Sequence, residues 1–294
     1  MQPQYPTFHL PFSSQESISC AQPKFTQSSA RDALPITRKI IVILWTAFAL
    51  VSGWTVVVGI VAFRRKMTSA EWVIAQTERS DFLAYWQSYG QIMMQYNDDP
   101  YSQRREWIGL LIQCTVILLL LLALHAAELL VELSRDEAIW RRAASVGSNP
   151  DSSLLAENAR HWPCWVIFAF KFTVPWVFGY AFSCNASVFM ALLPLVALSV
   201  LFMLLAGFAG HLVRARPTGS QPATYGDIQA LNALVDDWGY EKIFWGDKGK
   251  YTGGIRVAGT SGRRLADLAP GVMYIGLLQE PEGEADSSAY QGWV

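Results

Sequence analysis

The chain has 294 residues, of which 52% are hydrophobic and only 16% charged, whereas about a quarter of the residues in a soluble domain are charged. Its 23 basic and 24 acidic residues leave a formal charge of −1, which gives no electrostatic basis for binding nucleic acid. The same composition excludes a disordered chain, a collagen-like chain and a disulfide-rich secreted module.

Residues 1–39 are rich in Ser, Gln and Pro and read as a disordered tail. The first apolar run, 40–63, begins too late and runs too long for the core of a cleavable signal peptide, so it reads as a signal anchor. In the 64–107 loop, Phe82, Trp86, Tyr89, Met93 and Tyr96 recur at steps of four and three, the stripe of one helix stopped at Asn97-Asp98-Asp99-Pro100. Such a stripe packs on the protein's own helix ends or lies in the membrane interface.

The second apolar run is 108–133. Within the 134–162 loop, Ser134-Arg135-Asp136-Glu137 has the capping-box pattern of a new short helix. That helix would carry a Glu137–Arg141 pair and end at Gly147 and Pro150. The third run, 163–183, contains Lys171 and Pro175. The fourth, 187–213, contains Pro194 and the small-residue pair Ala206 and Gly210. Kinks are expected at both prolines. Each run is long enough to cross a hydrocarbon core of about 30 Å as a helix, and none shows strand alternation. Trp107, Trp162 and Trp165 stand where aromatic side chains anchor at the headgroup level. The expected fold class is therefore an all-α membrane protein with four transmembrane helices and a small cytosolic α+β module at the C-terminus.

Basic residues near the helix ends set the orientation. Arg31, Arg38, Lys39, Arg135, Arg141, Arg142, Arg160, Arg214 and Arg216 flank the side that holds both termini. Arg64, Arg65, Lys66, Arg104 and Arg105 lie on the other, so both termini are expected in the cytosol. The turn at 184–186 overlaps the glycosylation triplet Asn185-Ala186-Ser187, which lies too close to the bilayer for a glycan.

After Pro217 the composition changes. In the 214–278 module, Ile228, Leu231, Leu234 and Val235 form a short amphipathic helix. Ile243-Phe244-Trp245 reads as a strand, Gly246-Asp247-Lys248-Gly249 as a turn, Ile255–Ala258 as a second strand, and Val272–Leu278 as a third. So few residues make a marginal core, and the module is expected to dock on the cytosolic loops. Residues 279–294 read as a disordered acidic tail.

No reaction centre stands out. Cys20, Cys114, Cys164 and Cys184 lack the spacing of a disulfide framework or a zinc site, and His9, His125, His161 and His211 are too dispersed to hold a metal. The segment from Gly254 to Ser261 resembles a phosphate loop but puts Thr260 where the lysine is needed. No cofactor, catalytic residue or metal ligand is implied. Ionisable residues inside the apolar runs are the better lead, because they are costly in lipid unless paired. His125, Glu128 and Glu132 share one face of the second helix, and Lys171 lies inside the third. Counted from the cytosolic side, Glu128 lies about 7 Å deep and Lys171 about 9 Å, so they can meet. Three uses fit: an ion pair locking two helices, part of a polar path, or side chains that snorkel to the interface.

Three stretches together carry a resemblance. They are Leu124-His125-Ala126-Ala127-Glu128-Leu129-Leu130 running into Ser134-Arg135-Asp136-Glu137 and Trp140-Arg141, then Phe170-Lys171-Phe172 with Trp176-Val177-Phe178-Gly179. The third runs from Arg216-Pro217 and Gln221-Pro222-Ala223-Thr224-Tyr225-Gly226 to Trp245-Gly246-Asp247-Lys248-Gly249 and Ala258-Gly259-Thr260-Ser261. Spread over 124–274, this resembles a group of multi-pass integral membrane proteins of filamentous fungi with no assigned activity. The resemblance implies a membrane protein of fungal source and supplies no catalytic residue. Where that pattern often has His after Tyr-Gly and before Ala-Gly-Thr-Ser, this chain has Asp227 and Val257.

The reading these features favour is a non-enzymatic scaffold or accessory subunit of a membrane assembly. Its partners would be the lipid bilayer together with another membrane protein or further copies of itself. The rival is a small transporter or channel subunit using Glu128 and Lys171, which would need oligomers because four helices are few. A membrane enzyme acting through 254–261 is the third.

Overall fold

The computed structural model describes residues 20–64, 91–95, 102–149, 152–184, 187–236, 239–250 and 255–277. In chain order the elements are β1 (Cys20–Ala21), α1 (Ala30–Ala33), α2 (Pro35–Arg64), β2 (Gln91–Gln95), α3 (Ser102–Arg142), α4 (Leu154–Arg160), α5 (Trp162–Ala181), β3 (Phe182–Cys184), β4 (Ser187–Ala191), α6 (Leu192–Arg214), α7 (Ile228–Leu234), β5 (Phe244–Lys250), β6 (Arg256–Ser261) and β7 (Tyr274–Ile275). They divide into two compact units. One is helical, Thr26–Arg141 with Asp151–Thr218. The other is small and assembled from Met1–Phe25, Arg142–Pro150 and Gly219–Val294.

In the helical unit, α2, α3, α5 and α6 are long and apolar enough to cross a membrane. α6 packs against both α2 and α5 and buries Leu195, Leu198, Phe202, Leu205, Ala206, Ala209 and Gly210. The small side chains at 206, 209 and 210 are those that allow close backbone approach. Along α3, Leu120, Ala123, Leu124, Ala127, Leu130 and Val131 are buried at helical spacing, while Leu118, Leu119, Leu121, Leu122 and Leu129 are exposed. Large apolar side chains also cover the outside of α2, α5 and α6, including Leu50, Val56, Phe172 and Leu204. Water would oppose so extensive an apolar surface, and lipid would not.

Several boundaries differ from the sequence expectations. α3 continues without interruption to Arg142, so Ser134 lies in a helix interior and caps nothing. The capping pattern is a local signal, and here the helix is already running when it reaches it. The Glu137–Arg141 pair does form, with Nε donating to Oε1 at 2.8 Å. A separate helix, α4, starts where the Ser153 hydroxyl accepts from the Ala156 N–H. The third run leaves the helix at Phe182, and the fourth enters it only at Leu192. Between them β3 and β4 pair antiparallel, and β2 adds to the other side of β4, giving the order β2-β4-β3. Short apolar runs do not by themselves distinguish strand from helix, which is why this sheet was not expected. The strand at Gln91–Gln95 also takes Met93 out of the expected aromatic helix, whose other members lie outside the described residues. Pro194 lies in the first turn of α6, where its missing N–H breaks no helical bond and no kink is required.

The small unit is built around a sheet of order β1-β7-β6-β5, in which β5 and β6 are antiparallel, β6 and β7 parallel, and β1 and β7 antiparallel. Its core contains Tyr225, Leu234, Val235, Ile243, Trp245, Ala258, Leu268, Tyr274 and Leu277. Ile228, expected on the apolar face of α7, is instead 80% exposed. Asp227, at one of the two places where the resembling pattern has His, is the cap of this helix and accepts from the N–H groups of Gln229 and Ala230. The expected turn at 246–249 lies inside β5, where the register shifts between Asp247 and Gly249. Lys248 is the extra residue of that bulge, and Gly249, at φ +114°, takes a conformation that costs any other residue strain.

The core is completed by distant chain. Ser148 and Ile243 exchange both backbone hydrogen bonds, at 2.9 and 2.8 Å, and the Trp245 N–H donates to the Ala143 carbonyl. At the other edge Cys20 and Ala21 pair with Ile275 and Tyr274. Residues 20–39 therefore form structure where a disordered tail was expected, whereas 1–19 and 279–294 lie outside the described residues.

Candidate functional site

α3 and α5 each bring ionisable groups into an otherwise apolar surface. The Lys171 ammonium donates to Glu128 Oε1 at 2.5 Å, and the second carboxylate oxygen lies 3.1 Å from His125 Nδ1. His125 and Glu128 are one turn apart on α3, so a single carboxylate bridges its own helix and α5. Glu132, one turn further on, joins no hydrogen bond or ion pair among the described residues. The structure thus brings together three of the four polar residues singled out in the apolar runs.

Lys171 is nine residues past Trp162 and ten before Ala181, so it lies about 14 Å from either end of α5. There its ammonium meets the Glu128 carboxylate, so the two groups singled out on different helices are in contact. Pro175 follows four residues later and has no N–H to give the Lys171 carbonyl, so a backbone acceptor is freed at the same level. The cluster is not sealed: the His125 side chain is 63% exposed and that of Lys171 39%. Below it, Arg135 donates to the Asn158 side chain at 2.7 Å, a second polar tie between α3 and the α4–α5 segment.

Another polar contact joins two other helices. Thr55 of α2 and Ser199 of α6 place their hydroxyls 3.0 Å apart, and Ser199 also donates to the Leu195 carbonyl. A hydroxyl in each of two apolar runs was the available signal, but nothing local says which pairs with which.

In the small unit several buried polar groups are committed to one another. Asp247, almost fully buried, forms an ion pair with Arg256 at 2.5 Å and accepts from the Tyr274 hydroxyl at 3.0 Å and the Gly249 N–H at 2.8 Å. The Tyr274 hydroxyl itself accepts from the Ala269 N–H. Thr260, the residue standing at the lysine place of the phosphate-loop pattern, is 1% exposed, lies within β6 and accepts from the Asp236 N–H. Lys248 pairs with the Asp236 carboxylate at 2.6 Å. A Cβ on Gly259 would collide with that pair, so the Ala-Gly-Thr-Ser stretch is shaped by close packing rather than by a phosphate.

Burial raises the Tyr274 phenol above its ordinary range, and its hydrogen bond to the Asp247 carboxylate pushes the same way against the donation from Ala269. Asp247 likewise holds the proton of Arg256 more firmly than usual. A phenol whose folded value is raised contributes stability that is complete below its unfolded value, near pH 10, and lost as pH climbs through the folded one. Proteolytic sensitivity of the small unit should therefore rise above about pH 10, and Tyr274→Phe should flatten that rise while costing about 1 kcal/mol at neutral pH. An unchanged slope in the variant would assign the effect to another group.

Among the described residues no group of three or more His, Cys, Asp or Glu side chains could hold a metal ion. Compared with known proteins, the chain matches no family model, no curated protein and no solved structure.

Proposed function

We propose that the protein is a multi-pass integral membrane scaffold or accessory subunit, with both termini in the cytosol and the small unit serving as an interaction module. The likeness to membrane proteins of filamentous fungi belongs to the same proposal. The observation that carries it is how the polar side chains are used. The Glu128 carboxylate fastens α3 to α5, Asp247, Arg256 and Tyr274 fasten β5, β6 and β7 to one another, and Thr260 ties β6 to the segment after α7. A side chain held this way supports a shape and leaves recognition to surfaces. Purification of the full chain in mild detergent is expected to yield a native mass that includes a stoichiometric partner protein. A closed ring of this chain alone would overturn the scaffold reading.

That second outcome fits the rival, a transporter or channel subunit, and one observation favours it. His125 is exposed beside Lys171 on the outer surface of the helices, where lipid makes a polar ring costly and a neighbouring subunit does not.

A further inference from the structure

The starts of α1 and α2 and the end of α6 enclose an open pocket of about 410 Å³ lined by Ser29, Arg31, Asp32, Arg38, Arg214 and Arg216. Four guanidiniums against one carboxylate leave the lining with a formal charge of +3. Asp32 answers two of them at arm's length, Arg38 at 3.8 Å and Arg216 at 4.0 Å, and also accepts from the Ser29 hydroxyl. Arg31 and Arg214 make no side-chain ion pair or hydrogen bond among the described residues. The start of α2 and the end of α6 meet here with opposite dipole ends, so the positive charge rests on the side chains.

Position gives this charge its meaning. Arg38 stands two residues before the apolar stretch of α2 begins at Ile40, and Arg214 is the last residue of α6. In a bilayer these residues lie at headgroup depth, on the side the basic residues assign to the cytosol, where the anionic lipids are. A guanidinium suits phosphate because its fork of N–H groups matches two oxygens at once. The surplus of three charges matches a headgroup carrying a phosphomonoester, which brings about two negative charges, better than a zwitterion.

We propose that this pocket binds the phosphomonoester of an anionic lipid headgroup. The inference rests on the membrane reading, since a free phosphate has the same chemistry and only the bilayer supplies the acyl chains.

The test uses the full chain in zwitterionic nanodiscs, titrated with short-chain phosphatidic acid, short-chain phosphatidylcholine and inorganic phosphate. Phosphatidic acid is expected to bind saturably and the other two not at the same concentrations. Arg31→Gln with Arg214→Gln breaks no side-chain ion pair or hydrogen bond among the described residues and should weaken binding about 25-fold, at about fivefold per basic residue. Asp32→Asn should tighten it, a gain that misfolding does not produce. Equal binding of phosphatidylcholine overturns the pocket, and equal potency of inorganic phosphate overturns the lipid as its occupant. Alkaline carbonate washing of the source membranes keeps the two readings apart. Protein released to the supernatant refutes the membrane reading, whereas protein retained in the pellet without phosphate selectivity refutes only the pocket.

Discussion

Glu128→Lys should sharply lower the yield of folded, monodisperse protein, and adding Lys171→Glu should restore most of it. The single change puts two ammonium groups side by side about 14 Å from either end of α5, where one unpaired charge already costs about 3 kcal/mol on insertion scales. The exchange recreates an ion pair of opposite sense across the same two helices. Recovery should fall short of complete because His125, which faces the carboxylate at 3.1 Å, would then face a lysine. A further His125→Gln is expected to close that gap. A double variant as poor as the single would sink the ion-pair lock. Normal protein levels with altered ion flux in either single variant would move the cluster to the transport reading.

What made this pair legible beforehand is that both residues could be placed by counting along helices. Helix rise is fixed, the apolar runs have clear edges, and two depths from a common side can be compared before any contact is known. Counting from Trp165 puts Lys171 about 9 Å along α5, and the helix itself starts earlier, at Trp162, so Lys171 stands near the middle of its length. The four helices were legible for the same reason, since a long apolar stretch has one cheap conformation in lipid.

What stayed hidden was nonlocal. The strand at Cys20–Ala21 is one edge of the small unit's sheet, the segment from Ala143 to Ser148 bonds to Ile243 and Trp245 near the other, and no periodicity in either names its partner. The fewer than 65 residues before the acidic tail make only a marginal core by themselves, and the chain draws on two more segments to complete it. Local signals also misled where context outranked them. Ser134 to Glu137 has the form of a helix start, yet it lies in a helix that began at Ser102. Gly246 to Gly249 has the composition of a turn, yet it is a bulged strand. In the second case the positive φ of Gly249 serves a bulge as well as it would a turn.

That bulge leads to the second large effect. Asp247→Ala should destabilise the small unit by about 3 kcal/mol, the loss typical of removing one partner from a buried charged pair. The change strands the Tyr274 hydroxyl, the Gly249 N–H and the Arg256 guanidinium together, and these join β5, β6 and β7. Asp247→Asn keeps one oxygen for either Gly249 or Tyr274 and should lose about half as much. Limited proteolysis in detergent distinguishes this from general misfolding. Cleavage after Pro217 should accelerate more than tenfold in Asp247→Ala, while the helical unit, protected by its micelle, stays intact and monodisperse. Equal cleavage of the variant and the parent would mean that the sheet is held by its apolar core alone. Trp245, Leu268 and Tyr274 would then be the residues to truncate next.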